Sequence, residues 1–141
     1  MVIGFKEKFK EPILKGTKIH TIREDSHNRW KQGIKMHMAT GVRTKKYNQF
    51  YEDTCKSTQK IEIKYNKGGG VNVFIDNNFF HYQTSWGLEW EKESKNRMLK
   101  LAINDGFDSI ESFFKWFNGD FVGKIIHWTD LIYPPPPPPL F

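Results

Sequence analysis

The sequence predicts an α+β fold: a small β-barrel or curled sheet of mostly antiparallel strands, with one early short helix and two late helices. Three observations support this prediction. Alternating apolar and polar residues recur through the first two thirds of the chain, and helical periodicity is concentrated between residues 98 and 117. The 141 residues, 38% of them hydrophobic and 12 of them Phe, suit a single core.

The first part of the chain is predicted to contain one helix and three short strands. We expect the helix over Lys8–Lys15, because Phe9 and Ile13 lie four residues apart and Gly16 suits a left-handed stop. Strands are predicted where side chains alternate in character, and they cover Val2–Phe5, Lys18–Glu24 and Ile34–Ala39.

The middle of the chain is predicted to form a hairpin. Alternating apolar residues in Thr58–Tyr65 and Val71–Phe79 indicate two strands, and Asn66–Gly70 supplies a turn whose glycines tolerate positive φ. A phosphate-binding cradle is the alternative for these glycines. The turn is favoured, because no Lys-Ser or Lys-Thr pair and no helix start follow them.

The last part is predicted to hold two helices and a closing strand. The first helix face is indicated by residues spaced i, i+3, i+4 and i+7, namely Met98, Leu101, Ala102 and Asp105. The second helix is expected to start at an N-cap, Asp108, paired with Glu111, and to end at Gly119. Val122–Tyr133 then returns to strand-like composition.

Charge and composition restrict the class of protein. The net charge is +6, and residues 1–70 hold 16 Lys and Arg against 7 Asp and Glu. Such a basic half would attract anions, nucleic acid above all, although scattered solvated lysines explain it equally well. No apolar run approaches the roughly 20 residues of a membrane span, and the N-terminus lacks a signal peptide's features. We therefore expect a cytoplasmic protein without a membrane partner.

Metals and other cofactors are not expected. The five histidines have no metal-ligand spacing, and Cys55 is the only cysteine, which excludes an internal disulfide and a Cys-rich zinc cluster. Cys55 is expected to be a small core residue, since no helix start or nearby His would activate it.

The segment from Gly16 to Arg23 concentrates chemically useful groups. Thr21 and Arg23 share a strand face, whereas Lys18 has the opposite parity and joins them only if the backbone still turns after Gly16. Arg offers a planar fork for phosphate, and a desolvated Lys binds an anion or activates a hydroxyl. An edge strand with ordinary polar residues is the alternative interpretation.

This pattern, G-x-K-x-x-T-x-R, opens a strand just after a short helix and resembles the signature of ASCH domains, in the PUA-like superfamily. Its fixed residues are Gly16, Lys18, Thr21 and Arg23. Trp30 followed by Gly33 resembles the family's next loop, and the helix from Ser109 and the segment Lys124–Tyr133 are similar to its late elements. The resemblance covers most of residues 1–133, and residues 134–141 form a separate tail.

The resemblance implies a PUA-like β-barrel with a ligand cleft and an RNA-related function. One branch of the family comprises small amidohydrolases that deacylate acetylated cytidine with a Lys, a Thr and a Glu. Lys18 and Thr21 match directly, while Asp105 stands at the Glu position and is one methylene shorter. The leading hypothesis is therefore a domain that binds RNA or a modified nucleoside, with Gly16 and Arg23 as further ligand-binding residues. An amidohydrolase with Thr21 as nucleophile, Lys18 as base and Asp105 as acid–base partner is the alternative.

Asp105 is also singled out by its position. It shares a helix face with Met98 and Leu101, which should point inward, and an unpaired buried carboxylate is costly. Lys18 or Arg23 would supply the partner. The alternative is that Asp105, in the last helical turn, reaches solvent.

Two further segments are candidates for binding. Arg43, Lys46 and Tyr47 belong to a cluster of cations and aromatics that is typical of single-stranded RNA contacts, although a solvated loop beside core aromatics fits equally well. Pro134–Pro139 should form a polyproline II rod. That tail would make the chain a protein-interaction module if it docks on an aromatic groove; a surface-lying tail is the alternative.

Overall fold

The computed structural model describes residues 1–84 and 92–135, and these form a mixed α+β fold with mostly antiparallel strands, as predicted. A 3₁₀ turn, Glu7–Phe9, precedes the first helix. The helices are α1 (Lys10–Lys15), α2 (Lys92–Asn104) and α3 (Ile110–Trp116). The strands are β1 (Val2–Phe5), β2 (His20–Arg23), β3 (Lys35–Thr40), β4 (Asn48–Thr54), β5 (Ser57–Tyr65), β6 (Val71–Ile75), β7 (Asn78–Gln83) and β8 (Phe121–His127).

The strands pair into two sheets. One has the order β1-β3-β4, with β1 and β3 parallel, and the other has the order β2-β8-β5-β6-β7, entirely antiparallel. No backbone pairing joins the two sheets within residues 1–84 and 92–135. The closure into a barrel that the sequence suggests is therefore not confirmed, whereas the antiparallel character is.

The chain between α1 and β2 departs from regular structure in a way that matters for the site. Gly16 adopts the left-handed conformation expected of it, with φ of 80°. The backbone N–H groups of Thr17 and Lys18 both donate to the carbonyl of Pro12, at 2.9 and 3.0 Å. Regular strand starts only at His20, so strand parity does not govern the direction of Lys18.

The middle of the sheet corrects the sequence prediction. The single strand predicted over Val71–Phe79 is wrong, because Asp76 and Asn77 have positive φ values of 51° and 67° and turn the chain back into β7. Asp and Asn tolerate this conformation better than other residues with a Cβ. β4 was not predicted; its residues are mostly exposed or half-buried, so it lacks a clear apolar alternation.

The ends of α3 and β8 also differ from those predicted from the sequence. Ser109, and not Asp108, is the N-cap of α3: its hydroxyl accepts from the backbone of Ser112, whose hydroxyl accepts in return. Ser112 thus takes the role expected of Glu111. α3 ends before Gly119, and the closing strand β8 stops at His127 instead of continuing to Tyr133.

A single cluster of buried hydrophobic side chains packs the helices and the two sheets together. It contains side chains from both sheets and from the helices, including the fully buried Met98, Leu101, Ala102, Phe113, Ile125 and Ile126. Within residues 1–84 and 92–135, no helix is both long and apolar enough to cross a membrane. Pro136–Phe141, most of the predicted polyproline tail, lies outside the described residues.

Candidate ligand-binding site

A pocket of about 180 Å³ contains the side chains that the signature singled out. Lys18, Thr21, Arg23 and Asp105 all line it. Its remaining walls are largely aromatic and include Phe5, Phe9, Phe107, Trp116 and Phe117. Gly16 does not line the pocket; it ends α1 and redirects the chain toward Lys18. Residues far apart in sequence are thus brought to one concave site, the usual form of a small-ligand site.

Lys18 is held by three acceptors. It is only 2% exposed, and its Nζ donates to the carbonyls of His20 at 2.8 Å and Asp105 at 2.6 Å. The third acceptor is Asp105 Oδ1, at 3.4 Å. Because an ammonium has three hydrogens, this arrangement uses all of them. Burial lowers the pKa of Lys18 to about 8, while the nearby Asp105 acts in the opposite direction.

Asp105 follows directly after α2 and is 3% exposed. Its Oδ1 accepts from both Lys18 and His20, whereas Oδ2 has no partner within the described part of the chain. Gly106 makes this close packing possible, since it has φ of 95° and a Cβ there would lie 2.8 Å from Lys18 Cδ. The pairing of Asp105 with Lys18 is one of the two that its sequence position suggests.

His20 is the site residue that sequence reasoning missed. It is fully buried, and burial lowers its pKa, which favours the neutral ring. Its Nδ1–H donates to Asp105 Oδ1 at 3.1 Å, and its Nε2 accepts from the Tyr133 hydroxyl at 2.6 Å. The hydroxyl in turn accepts from Asn104 at 3.1 Å. These contacts fix one tautomer and aim the Asp105 carboxylate.

Arg23 and Thr21 form the other side of the pocket. Arg23 Nε donates to Thr21 Oγ1 at 3.1 Å, and its Nη2 donates to the carbonyl of Gly4 at 2.6 Å. The guanidinium carbon also lies 4.8 Å from the centre of the Phe5 ring. Among the described residues, the Thr21 hydroxyl hydrogen and Arg23 Nη1 have no acceptor. Both donors remain available to a ligand.

The predicted RNA contacts lie apart from this pocket. Arg43, Lys46 and Tyr47 occupy the loop between β3 and β4, where all three are exposed, and none lines the pocket. The loop nevertheless adjoins the pocket wall, because Val42 Cγ2 lies 3.0 Å from where a Cβ on Gly4 would be. The exposure of Tyr47, 47%, excludes it from the core.

Other parts of the described structure are weaker candidates for a functional site than this pocket. A wider cleft of about 790 Å³ lies between the loop after β2 and β8, but Lys124 there is already paired with Asp25 at 2.9 Å. Residues 1–84 and 92–135 contain no group of three or more His, Cys, Asp or Glu that could hold a metal ion. Cys55 is buried, and burial raises the pKa of its thiol.

Comparisons with protein-family models, with curated proteins and with solved structures return no match for this chain. The geometry of the pocket is therefore the guide to the function of the chain.

Proposed function

We propose that the chain is a cytoplasmic ASCH-like domain, PUA-like in its barrel, that binds a nucleoside or a base of single-stranded RNA in this pocket. One observation carries the proposal: Lys18, Thr21, Arg23 and Asp105 line one aromatic-walled pocket and leave three hydrogen-bonding groups unpaired. These groups are the Thr21 hydroxyl hydrogen, Arg23 Nη1 and Asp105 Oδ2, which have no partner among the described residues. Aromatic walls favour a flat ring, and the unpaired groups favour a ring with a hydrogen-bonding edge.

The donors and acceptors of the pocket favour cytosine among the common bases. Cytosine presents one amino donor and two acceptors, N3 and O2, along its pairing edge. Asp105 Oδ2 complements the amino group, and the Thr21 and Arg23 donors complement the two acceptors. Uracil and guanine carry a carbonyl where cytosine has its amino group, and a carboxylate opposite a carbonyl would leave both unsatisfied.

Loss of a pocket donor should weaken cytidine binding. We expect Thr21→Val and Arg23→Lys each to raise the Kd about 10- to 100-fold, since each leaves a base acceptor poorly paired at about 1–3 kcal/mol. Titration calorimetry with cytidine measures this. Thr44→Val and Arg43→Lys are matched controls in the exposed loop and should bind as the wild type does. Equal affinity for cytidine and uridine would contradict the proposed recognition.

The exposed loop extends the proposal to RNA. Arg43, Lys46 and Tyr47 adjoin the pocket through Val42 and Gly4, so a strand whose base enters the pocket can place neighbouring phosphates and bases on them. No metal or other cofactor is needed for this mode of binding.

An amidohydrolase is the second candidate, and two observations favour it. Lys18, Thr21 and Asp105 line the same pocket, and burial lowers the pKa of Lys18 to about 8, which eases its deprotonation. However, the Lys18 hydrogens already have three acceptors, and no hydrogen bond joins Lys18 to Thr21. Catalysis would require Lys18 to leave one acceptor before it could activate the hydroxyl.

Activity on an N-acylated cytidine separates the two candidates. If the chain is a hydrolase, water is consumed, the amide bond breaks, and cytidine and a carboxylic acid are released. Thr21→Ala and Lys18→Ala should then abolish acid release, and Asp105→Glu should retain or raise it. Chromatography of the products gives the measurement. Failure of the wild type and of Asp105→Glu to release acid would reject the hydrolase while leaving ligand binding intact.

A further inference from the structure

We infer that the mouth of the pocket is a phosphate subsite made by Lys6, Lys8 and Trp116, so that the ligand is a nucleotide and not an uncharged nucleoside. This inference rests on the proposed function, because it assumes that a base occupies the pocket. The shared chemistry is a ribose phosphate, supplied either by a free nucleotide or by single-stranded RNA.

Trp116 forms a fixed aromatic surface at the pocket mouth. It is the last residue of α3, lines the pocket and is 42% exposed. Phe9 and Phe107 hold its ring in edge-to-face contacts, with centroid distances of 5.5 and 5.8 Å. A large indole that is both fixed and exposed can stack on a ligand without losing much conformational freedom on binding.

Two lysines lie against this indole. Lys6 Nζ is 5.0 Å and Lys8 Nζ is 5.1 Å from the centre of the Trp116 ring, and Lys6 itself lines the pocket. Lys8 also lies 5.1 Å from the Phe9 ring. Cation–π contacts of this kind hold the ammonium groups at the mouth instead of letting them extend into solvent.

The charge of these lysines is not neutralised nearby. Within the described part of the chain, neither has a carboxylate within 4.0 Å, although Asp108 lies close enough to Lys8 to interact electrostatically. Three other exposed lysines do make ion pairs, namely Lys35, Lys56 and Lys64, with N···O distances of 3.4, 3.7 and 3.3 Å. Two ammonium groups that have no direct ion-pair partner among the described residues, beside an exposed ring, suit an anion attached to an aromatic ligand.

The inner part of the pocket therefore binds the base of the ligand, and the mouth binds its phosphate. The inner groups Thr21, Arg23 and Asp105 face the base, and the whole pocket, its mouth included, has a volume of only about 180 Å³. A phosphate on the ribose would remain outside, at the level of Lys6 and Trp116. Lys18, which is buried with all its hydrogens used, is not available to bind that phosphate.

Calorimetric titration with cytidine and with cytidine 5′-monophosphate tests the inference. At low salt we expect the nucleotide to bind about tenfold more tightly or better, and the difference to shrink as salt is added. The double variant Lys6→Gln/Lys8→Gln should bind the nucleotide as weakly as cytidine, with unchanged affinity for cytidine. Lys56→Gln/Lys64→Gln removes the same charge elsewhere and should retain the difference.

The possible failures are distinguishable. Equal binding of cytidine and its monophosphate by the wild type, or an advantage that survives in Lys6→Gln/Lys8→Gln, would overturn the phosphate subsite alone. Absence of binding by both ligands would overturn the proposed function and the subsite together. A short single-stranded oligocytidylate distinguishes the sources: tighter binding than the monophosphate assigns the subsite to RNA, and equal binding assigns it to a free nucleotide.

Discussion

Replacing Asp105 with Ala should lower the free energy of unfolding by about 3–5 kcal/mol, because it removes the one side-chain charge that, among the described residues, pairs with the buried Lys18. His20 loses the acceptor of its Nδ1–H in the same change. In the described part of the chain, Lys18 then keeps the backbone carbonyls of His20 and residue 105, which do not neutralise an ammonium. Urea denaturation monitored by circular dichroism measures the effect.

Three further variants make this prediction specific. Asp105→Glu restores the residue that the ASCH resemblance implies and should cost less than the Ala variant. Asp105→Asn keeps a hydrogen-bond acceptor without the charge, so its loss of stability should lie between those of the Glu and Ala variants. This variant still gives a measurable free energy of unfolding if the Ala variant does not fold. Asp130→Ala removes a 95% exposed carboxylate and should change stability by less than about 1 kcal/mol. Unchanged stability of Asp105→Ala would refute the buried pairing.

Acid should destabilise the protein steeply, beginning near pH 6.5. Burial lowers the pKa of both His20 and His127 from the ordinary 6.5, that of His127 to about 3. Their rings lie 5.3 Å apart, so charge on one disfavours charge on the other, while Asp105 beside His20 and Asp76 near His127 oppose the shift. Within residues 1–84 and 92–135, His127 Nδ1 also has no hydrogen-bond partner.

The direction of this pH dependence follows from how many protons the folded and unfolded chains bind. Below pH 6.5 the unfolded chain protonates both histidines while the folded chain keeps them neutral, so the stability present above pH 6.5 is lost as the pH falls toward the folded pKa values. Between pH 6.5 and about 3, His127 contributes about 1.4 kcal/mol per pH unit, and His20 adds a loss in the same direction.

Urea denaturation at several values between pH 6.5 and 5 tests this. His127→Gln should reduce the slope by about 1.4 kcal/mol per pH unit, since it removes the proton that this histidine takes up on unfolding. The exposed His27 provides the matched control, and His27→Gln should keep the steep slope. Stability that is independent of pH over this range would contradict the buried neutral pair.

Much of the fold was predictable because its signals are local. The left-handed stop at Gly16 and the buried face of Met98, Leu101 and Ala102 can be read from residue type and spacing, and the structure confirms them. The hairpin turn at Asp76 and Asn77 was missed because strand-forming residues flank it closely on both sides.

The site was only partly predictable, for a different reason. Lys18 faces the pocket because regular strand begins at His20, a boundary that residue type alone does not determine. The pairing of His20 with Tyr133 joins positions 113 residues apart, and no local pattern reports such a contact. A signal did exist in the histidine within the signature, which strand parity turns toward the core, where a polar ring needs partners.

The claim that the pocket receives a base is tested most directly by amide chemical shifts recorded during titration with cytidine. We expect the largest changes at Thr21, Arg23 and Gly106 and at the indole N–H of Trp116, all at or beside the pocket. The amides of Lys60 and Lys124, in the wider cleft, should not move. Changes confined to that cleft, or none at saturating cytidine, would contradict the account.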